Sequence, residues 1–320
     1  MADNMKDINE NVTTGQSAES TEAVKVMKEK DINTVSKKQV VMKVLVQIAL
    51  YAFLTIMALF VLFPFYWMLI SSVKTVEEYN ATVPTLWPQN FQWSNYSAVF
   101  KSDDLNLLQL FWNTVKVGLI STVLSLIVTV LSAYAFAKFE FRGKNAMFAF
   151  MLATMMIPGE LFTITNYITV SDFHWLDHMV VLIVPFLVSV FYIYLLRQNF
   201  LQIPNELYLA AKVDGTSDLK YLWKVMIPLS APTLISITIL KMMGSWNAYV
   251  WPRLVARADN VKLITVGLRQ HQFTDEVTKI LVDYPKQMAA VFLVTIPLLL
   301  VFIFLRKYIM RGVSRSGIKG

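Results

Sequence analysis

Cysteine is absent from the 320 residues, which excludes a disulfide framework and thiolate chemistry, whether as metal ligand or as nucleophile. Glycine is scarce, with ten in the chain, and they assemble neither a Gly-rich phosphate-binding loop nor a nucleophile motif. The three histidines, His174, His178 and His271, form no metal-ligand set, so no metal and no cofactor is expected. Charge is sparse as well. Charged residues are 16% of the chain against 56% hydrophobic, a balance that points away from a soluble domain and toward a core embedded in lipid. There is no internal repeat.

What charge there is sums to +7. A basic balance can mark a nucleic-acid binder, but a membrane chain acquires Lys and Arg in its cytoplasmic loops through the positive-inside bias, and no nucleic-acid partner is expected. Residues 1–41 are polar, as in "TTGQSAESTEAVKVMKEKDINTVSKK". They lack the early apolar segment and cleavage site of a signal peptide and read as a cytosolic, disordered tail before a membrane domain over 42–320.

A spanning helix needs roughly 20 apolar residues to cross about 30 Å of hydrocarbon. Six stretches approach that length: 44–70, 117–137, 146–170, 179–196, 229–252 and 287–305. The expected fold is an all-α polytopic membrane protein with six transmembrane helices. Lys37, Lys38 and Lys43, then Lys138, Arg142 and Lys144, then Arg197, Lys212, Lys220 and Lys224, and finally Arg306, Lys307, Arg311, Arg315 and Lys319 flank the spans on one side. That side is cytoplasmic by the positive-inside rule, and both termini lie on it. One outer loop dissents: 253–286 carries Arg253, Arg257, Lys262, Arg269, Lys279 and Lys286.

The longest cytoplasmic loop holds "PNELYLAAKVDGTSDLKYLWKVMIPL". Pro204-Asn205-Glu206 suits a helix start, with an acid in the first turn, and Gly215 suits the left-handed position that ends one. Thr216 or Ser217 can cap a second helix running to Pro228. Leu207, Ala210, Ala211 and Asp214-Gly215 fall near one face of the first helix; Leu222, Trp223 and Met226 form an apolar stripe on the second. Periodicity leaves two readings open, an interfacial helix on the bilayer and a docking element.

This loop resembles the cytoplasmic EAA loop of ATP-binding-cassette importer permeases, with Ala-Ala, Asp-Gly and Ile-Pro-Leu at the family spacing. "PFYWMLISSVKT" (64–75), "FWNTVKVGLISTVLS" (111–125), "SWNAYVWPRL" (245–254), "KLITVGL" (262–268) and "RGVSRSGIKG" at the end are similar to the maltose-type carbohydrate permeases, over about 45–320. The resemblance implies a type I permease fold, with a core over about 107–310 and a coupling loop over 203–227. It also implies a location in the bacterial or archaeal cytoplasmic membrane. The expected partners are a second homologous permease, two ATPase subunits, an extracellular solute-binding protein, and a sugar, of oligosaccharide type, as cargo. The chain itself is then no enzyme, and ATP is hydrolysed by a separate chain.

By the same resemblance Glu206, Leu209, Ala210, Ala211, Asp214 and Gly215 couple to the ATPase. The family carries a glutamate immediately before the Ala-Ala pair, where this chain has Leu209. The family's ion pair from that position is not carried over, and apolar packing around Leu209, Ala210 and Ala211 is expected instead.

Within the spans, ionisable residues are functional candidates because burying charge in hydrocarbon is costly. Glu160 follows Pro158-Gly159, a kink that opens backbone to a cavity. Sugar pathways need aromatic platforms beside amides, which makes Asn166, Tyr167, Trp246, Asn247 and Tyr249 candidates, against the plain reading of interfacial anchors. The segment 254–286 resembles the part of the family that reaches into the binding protein, and "RQHQFTDEV" (269–277), with Arg269, Gln270, His271 and Gln272, is its expected polar tip. By resemblance, "SGIKG" would reach between the ATPases. The alternative function is a proton-coupled secondary transporter using Glu160, which calls for an inverted repeat that is not detectable.

Overall fold

The computed structural model describes residues 37–102, 105–274 and 282–314. The tail up to residue 36, the end of the "RQHQFTDEV" tip and the final "SGIKG" lie outside the described residues. Among the described residues all regular structure is helical, apart from an isolated antiparallel bridge between Thr274 and Val282. The chain divides into two compact units, one ending at Tyr66 and one beginning at Trp67.

Helix α1 (Lys37–Ser72) supplies the regular structure of the first unit and runs on into the second. Its side chains from Val40 to Tyr66 are exposed and almost all apolar, as expected of a helix whose solvent is lipid. The Thr55 hydroxyl donates to the Tyr51 carbonyl at 2.8 Å, which satisfies that polar group inside its own helix.

In the second unit, α2 (Val76–Tyr79) and α3 (Ser94–Lys101) follow α1. Polar side chains fix this segment. Glu78 accepts from the Thr85 hydroxyl at 2.5 Å and from the Gln89 backbone at 3.1 Å. The buried Lys74 donates to the Thr85 carbonyl at 2.5 Å, with its ammonium 4.7 Å from the Trp67 ring centre.

Helix α4 (Leu107–Lys138) organises this unit. Gly118, Ser121, Thr122, Ser125, Thr129 and Ala133 are small and line its buried face. That face lets two other helices approach closely, α8 (Val190–Leu201) and α12 (Ala231–Asn247).

Proline breaks the intervening segments. The expected third span is two helices, α5 (Lys144–Thr154) and α6 (Thr163–Asp172), bent by 84° around Pro158 and a 3-10 turn at Gly159–Phe162. The fourth is α7 (Met179–Ile183) bent by 46° from α8 after Pro185. Beyond α8 come α9 (Asn205–Val213), α10 (Asp218–Tyr221) and α11 (Ile227–Leu229), and the stretch from Asp218 meets α12 at 81°. The expected span over 229–252 is one continuous helix only from Ala231 to Asn247; Ala248 turns extended before α13 (Val250–Val255). Helix α14 (Ile264–Gln270) and the long α15 (Tyr284–Ser314) complete the unit. By length and composition, three described helices can cross a membrane, or up to six spans form if each bent pair counts as one.

Candidate functional site

Three geometrical features of α9 govern what the loop can do. Its C-terminus closes in a Schellman arrangement: Thr216 N–H donates to the Ala211 carbonyl at 2.8 Å and Gly215 N–H to that of Lys212 at 3.0 Å. Gly215 has φ +68°, a conformation that glycine reaches without the Cβ penalty. Ser217, rather than Thr216, caps α10 by accepting from Lys220 N–H at 3.4 Å.

Second, one carboxylate ties the loop together. Asp218 accepts from the Lys212 ammonium at 2.9 Å, the Tyr208 hydroxyl at 2.9 Å and the Tyr134 hydroxyl at 3.3 Å. It joins both loop helices to the end of α4. The Lys212 hydrogen bond holds the Asp218 carboxyl below the usual carboxylate range; partial desolvation opposes it and the two tyrosines assist. The same bond raises the Lys212 ammonium above its ordinary value. Tyr208 packs against Tyr221 with ring centres 5.3 Å apart, and Lys138 reaches Asn205 at 3.5 Å.

Third, the outer face is open and carries exposed apolar side chains among polar ones. Leu209 is 56% exposed and Val213 89%, and Glu206, Leu207, Ala210, Asp214 and Gly215 are exposed as well. Ala211 is instead half-buried with Tyr208 against the core of Leu196, Phe200, Tyr221 and Leu222. The expected stripe on the second helix is divided: Leu222 and Met226 are buried and Trp223 is exposed. A π turn at Leu222–Met226 shifts the register there.

The pathway candidates separate in space. Trp246 is 6% exposed, with its ring 5.7 Å from that of Phe111 in a T-shaped contact. Asn247 donates to the Met243 carbonyl at 3.0 Å. Asn166 and Glu160 are exposed, and Tyr167 packs against the core around Val170 and Val181. Tyr249 lines a cavity of about 580 Å³ with Ser121, Ser189, Tyr192, Lys241 and Ser245. Lys241 donates to the Phe186 carbonyl at 2.6 Å, meeting a carbonyl at the break after α7. Arg269 places its guanidinium 4.3 Å from the Tyr249 ring centre. Gln270 and His271 close α14, His271 stacks edge-on to Phe273 at 4.6 Å, and Gln272 is exposed.

A family model described as "Binding-protein-dependent transport system inner membrane component" matches residues 125–315, more than half of the chain. The chain belongs to that family of transport permeases. This permease is 28% identical over 276 residues to the arabinooligosaccharides transport system permease protein AraQ of Bacillus subtilis (strain 168), covering 86% of this chain and 96% of the relative. It is 28% identical over 266 residues to the lactose transport system permease protein LacG of Rhizobium radiobacter, covering 83% and 94%. Its fold matches a crystal structure of a bacterial ABC transporter involved in the import of the acidic polysaccharide alginate, with TM-score 0.76 and 26% identity over 85% of this chain and 98% of that one. The type I importer permease fold is thus established, in a multi-pass inner membrane component. The proton-coupled alternative finds no support in these matches.

Sequence reasoning about the permease missed the Asp218 centre. Lys212 and Asp218 are six positions apart, which is no helical neighbour spacing, and only the turn at Gly215 brings them together. It also missed why Asn113 and Thr114 matter. Asn113 donates to the carbonyls of Asn260 and Lys262 at 2.9 and 3.2 Å, and the Thr114 hydroxyl accepts from Ile264 N–H at 2.9 Å. Those bonds fasten the long loop before α14 onto α4.

Proposed function

We propose that this permease is one half of the membrane pathway of an ATP-driven sugar importer and that loop 203–227 is its coupling element. The observation that carries the reading is α9, a helix with Leu207, Leu209 and Val213 exposed and anchored through Asp218 to a membrane-spanning helix. An exposed face fits a docking partner, and the anchor fits transmission of a push from that partner into the span. The sugar class rests on AraQ and LacG, whose names give arabinooligosaccharides and lactose as cargo.

The partners follow from that reading: a second homologous permease, two ATPase subunits that receive α9 and its counterpart, and an extracellular solute-binding protein met near 269–277. The division into a tail (1–41) and a permease domain (42–320) belongs to it, with both termini cytoplasmic. ATP-driven closure of the ATPases then shifts the permease pair between inward- and outward-open states through differential binding. Glu206, Leu209, Ala210 and Asp214 would face the ATPase; Ala211 and Gly215 would shape the helix that reaches it.

The test is copurification of an ATPase with the tagged full chain and uptake of labelled oligosaccharide. Both should be lost on replacing 206–215 by a flexible linker, with the permease still in the membrane. Retention of both would overturn the coupling role.

A further inference from the structure

The basic outer loop that dissents from the positive-inside rule has a structural explanation. Two of its lysines are committed: Lys262 pairs with Asp259 at 2.6 Å and Lys286 with Asp283 at 3.2 Å. The arginines are placed differently. Arg253 and Arg257 line a cavity of about 570 Å³ together with Tyr249, Val250, Leu254 and Gln270. This cavity shares Tyr249 and Val250 with the one that holds Lys241. Arg253 donates to the Tyr249 hydroxyl at 2.9 Å and Arg269 stacks on the Tyr249 ring. No carboxylate lines either cavity among the described residues. Asp177 accepts through Oδ1 from the backbone N–H groups of Arg257 and Ala258 at 2.6 and 2.8 Å. Among the described residues, none of the three arginines is in an ion pair.

Guanidinium groups stay charged at any working pH and form bidentate bonds to carboxylates. In the adjoining cavity the hydroxyls of Ser121, Ser189, Tyr192 and Ser245 suit sugar hydroxyls, and Lys241 continues the positive lining. We infer that the cargo is an anionic sugar, an oligosaccharide bearing carboxylates, and that Arg253 and Arg257 select it at the cavity beside Tyr249. This rests on the importer reading and narrows it to a substrate class.

The experiment uses cells carrying the whole transporter and measures uptake of labelled trigalacturonate and of triglucuronate, each against its carboxyl-reduced neutral counterpart. Chain-dependent uptake of an acidic member is expected, with its neutral counterpart excluded. The Arg253→Gln/Arg257→Gln double variant should reduce acidic uptake by about tenfold, on the scale of one charge-assisted hydrogen bond, while Arg253→Lys/Arg257→Lys, which keeps the charge without the bidentate fork, should fall less. Uptake confined to neutral members, or to none of the acidic ones, overturns the inference. So does an equal fall for both kinds, which would mark a docking surface for an acidic protein, and so does no change, as for arginines at lipid headgroups. Chain-dependent uptake of no sugar at all would sink the importer reading itself.

Discussion

Lys212 and Asp218 meet at 2.9 Å across the bend at Gly215, and through that contact the last turn of α9 is fastened to the first turn of α10. Because Asp218 also receives the Tyr134 hydroxyl, this surface ion pair is one corner of a network that reaches a membrane-spanning helix. An isolated exposed pair contributes little. A pair that also orders two tyrosines has a positional consequence, and the first prediction turns on it. Asp218→Asn should leave the permease folded and inserted while raising hydrogen exchange across Asn205–Val213 and weakening ATPase copurification. Unaltered exchange in α9 would remove the network from the account.

The same carboxylate gives a pH dependence. Its pKa is depressed in the folded chain, chiefly by the Lys212 hydrogen bond. The stabilisation it contributes is therefore complete above the ordinary carboxylate value and is lost as pH falls through the lower folded value. Exchange in α9 should rise on acidification below about pH 4, and Asp218→Asn should flatten that dependence. Glu78 should behave likewise at the other segment. There desolvation pushes the carboxyl up, but hydrogen bonds from Thr85, Gln89 and Asn90 together with Lys74 hold it low overall.

Gly215→Ala tests backbone conformation alone. A Cβ there meets nothing within 4 Å, so the cost is that of the left-handed conformation, about 1–2 kcal/mol. Amides in the closing turn, Gly215 and Thr216 N–H among them, should exchange roughly tenfold faster. Gly215→Asn should cost less, because asparagine visits that region more readily.

Ala210 and Ala211 are neighbours in sequence that predict different failures. Ala210 is exposed, so Ala210→Glu should leave the chain in the membrane and reduce sugar uptake by about tenfold or more, on the scale of a hot-spot contact. Ala211 packs against the core, so Ala211→Glu should lower the amount of folded permease first. Wild-type uptake with Ala210→Glu would argue against docking through this face.

Trp246 and Tyr249 should likewise separate. Trp246→Ala empties a packed site beside Phe111 and should destabilise the unit by about 3–5 kcal/mol, read as a lower unfolding midpoint in detergent. Tyr249→Ala opens a cavity wall and should change transport with the midpoint preserved.

The helical class, the apolar stretches and the coupling loop are legible because each depends on local order in the chain. A run of apolar residues demands a helix in lipid whatever lies beside it, and the Pro204 start with its Gly215 stop uses conformational preferences of single residues. Leu209 in place of the family's acid is visible in the same way. The breaks at Pro158 and after Pro185 are signalled by proline; their angles of 84° and 46° depend on neighbouring helices.

Sequence could not reach what requires distant segments to meet. Trp246, Asn247 and Tyr249 are adjacent in the chain and share sugar-binding chemistry, yet one is in a core, one bonds its own helix and one lines two cavities. The interruption at Ala248 between α12 and α13 decides that division. Composition and periodicity determined a bundle of membrane helices with a docking loop, since lipid and the backbone act on each segment separately. Tertiary structure alone decided that Asp218 anchors the loop to α4 and that Arg269 covers Tyr249, because side-chain bonds reach only a few ångströms and depend on which segments the fold brings together.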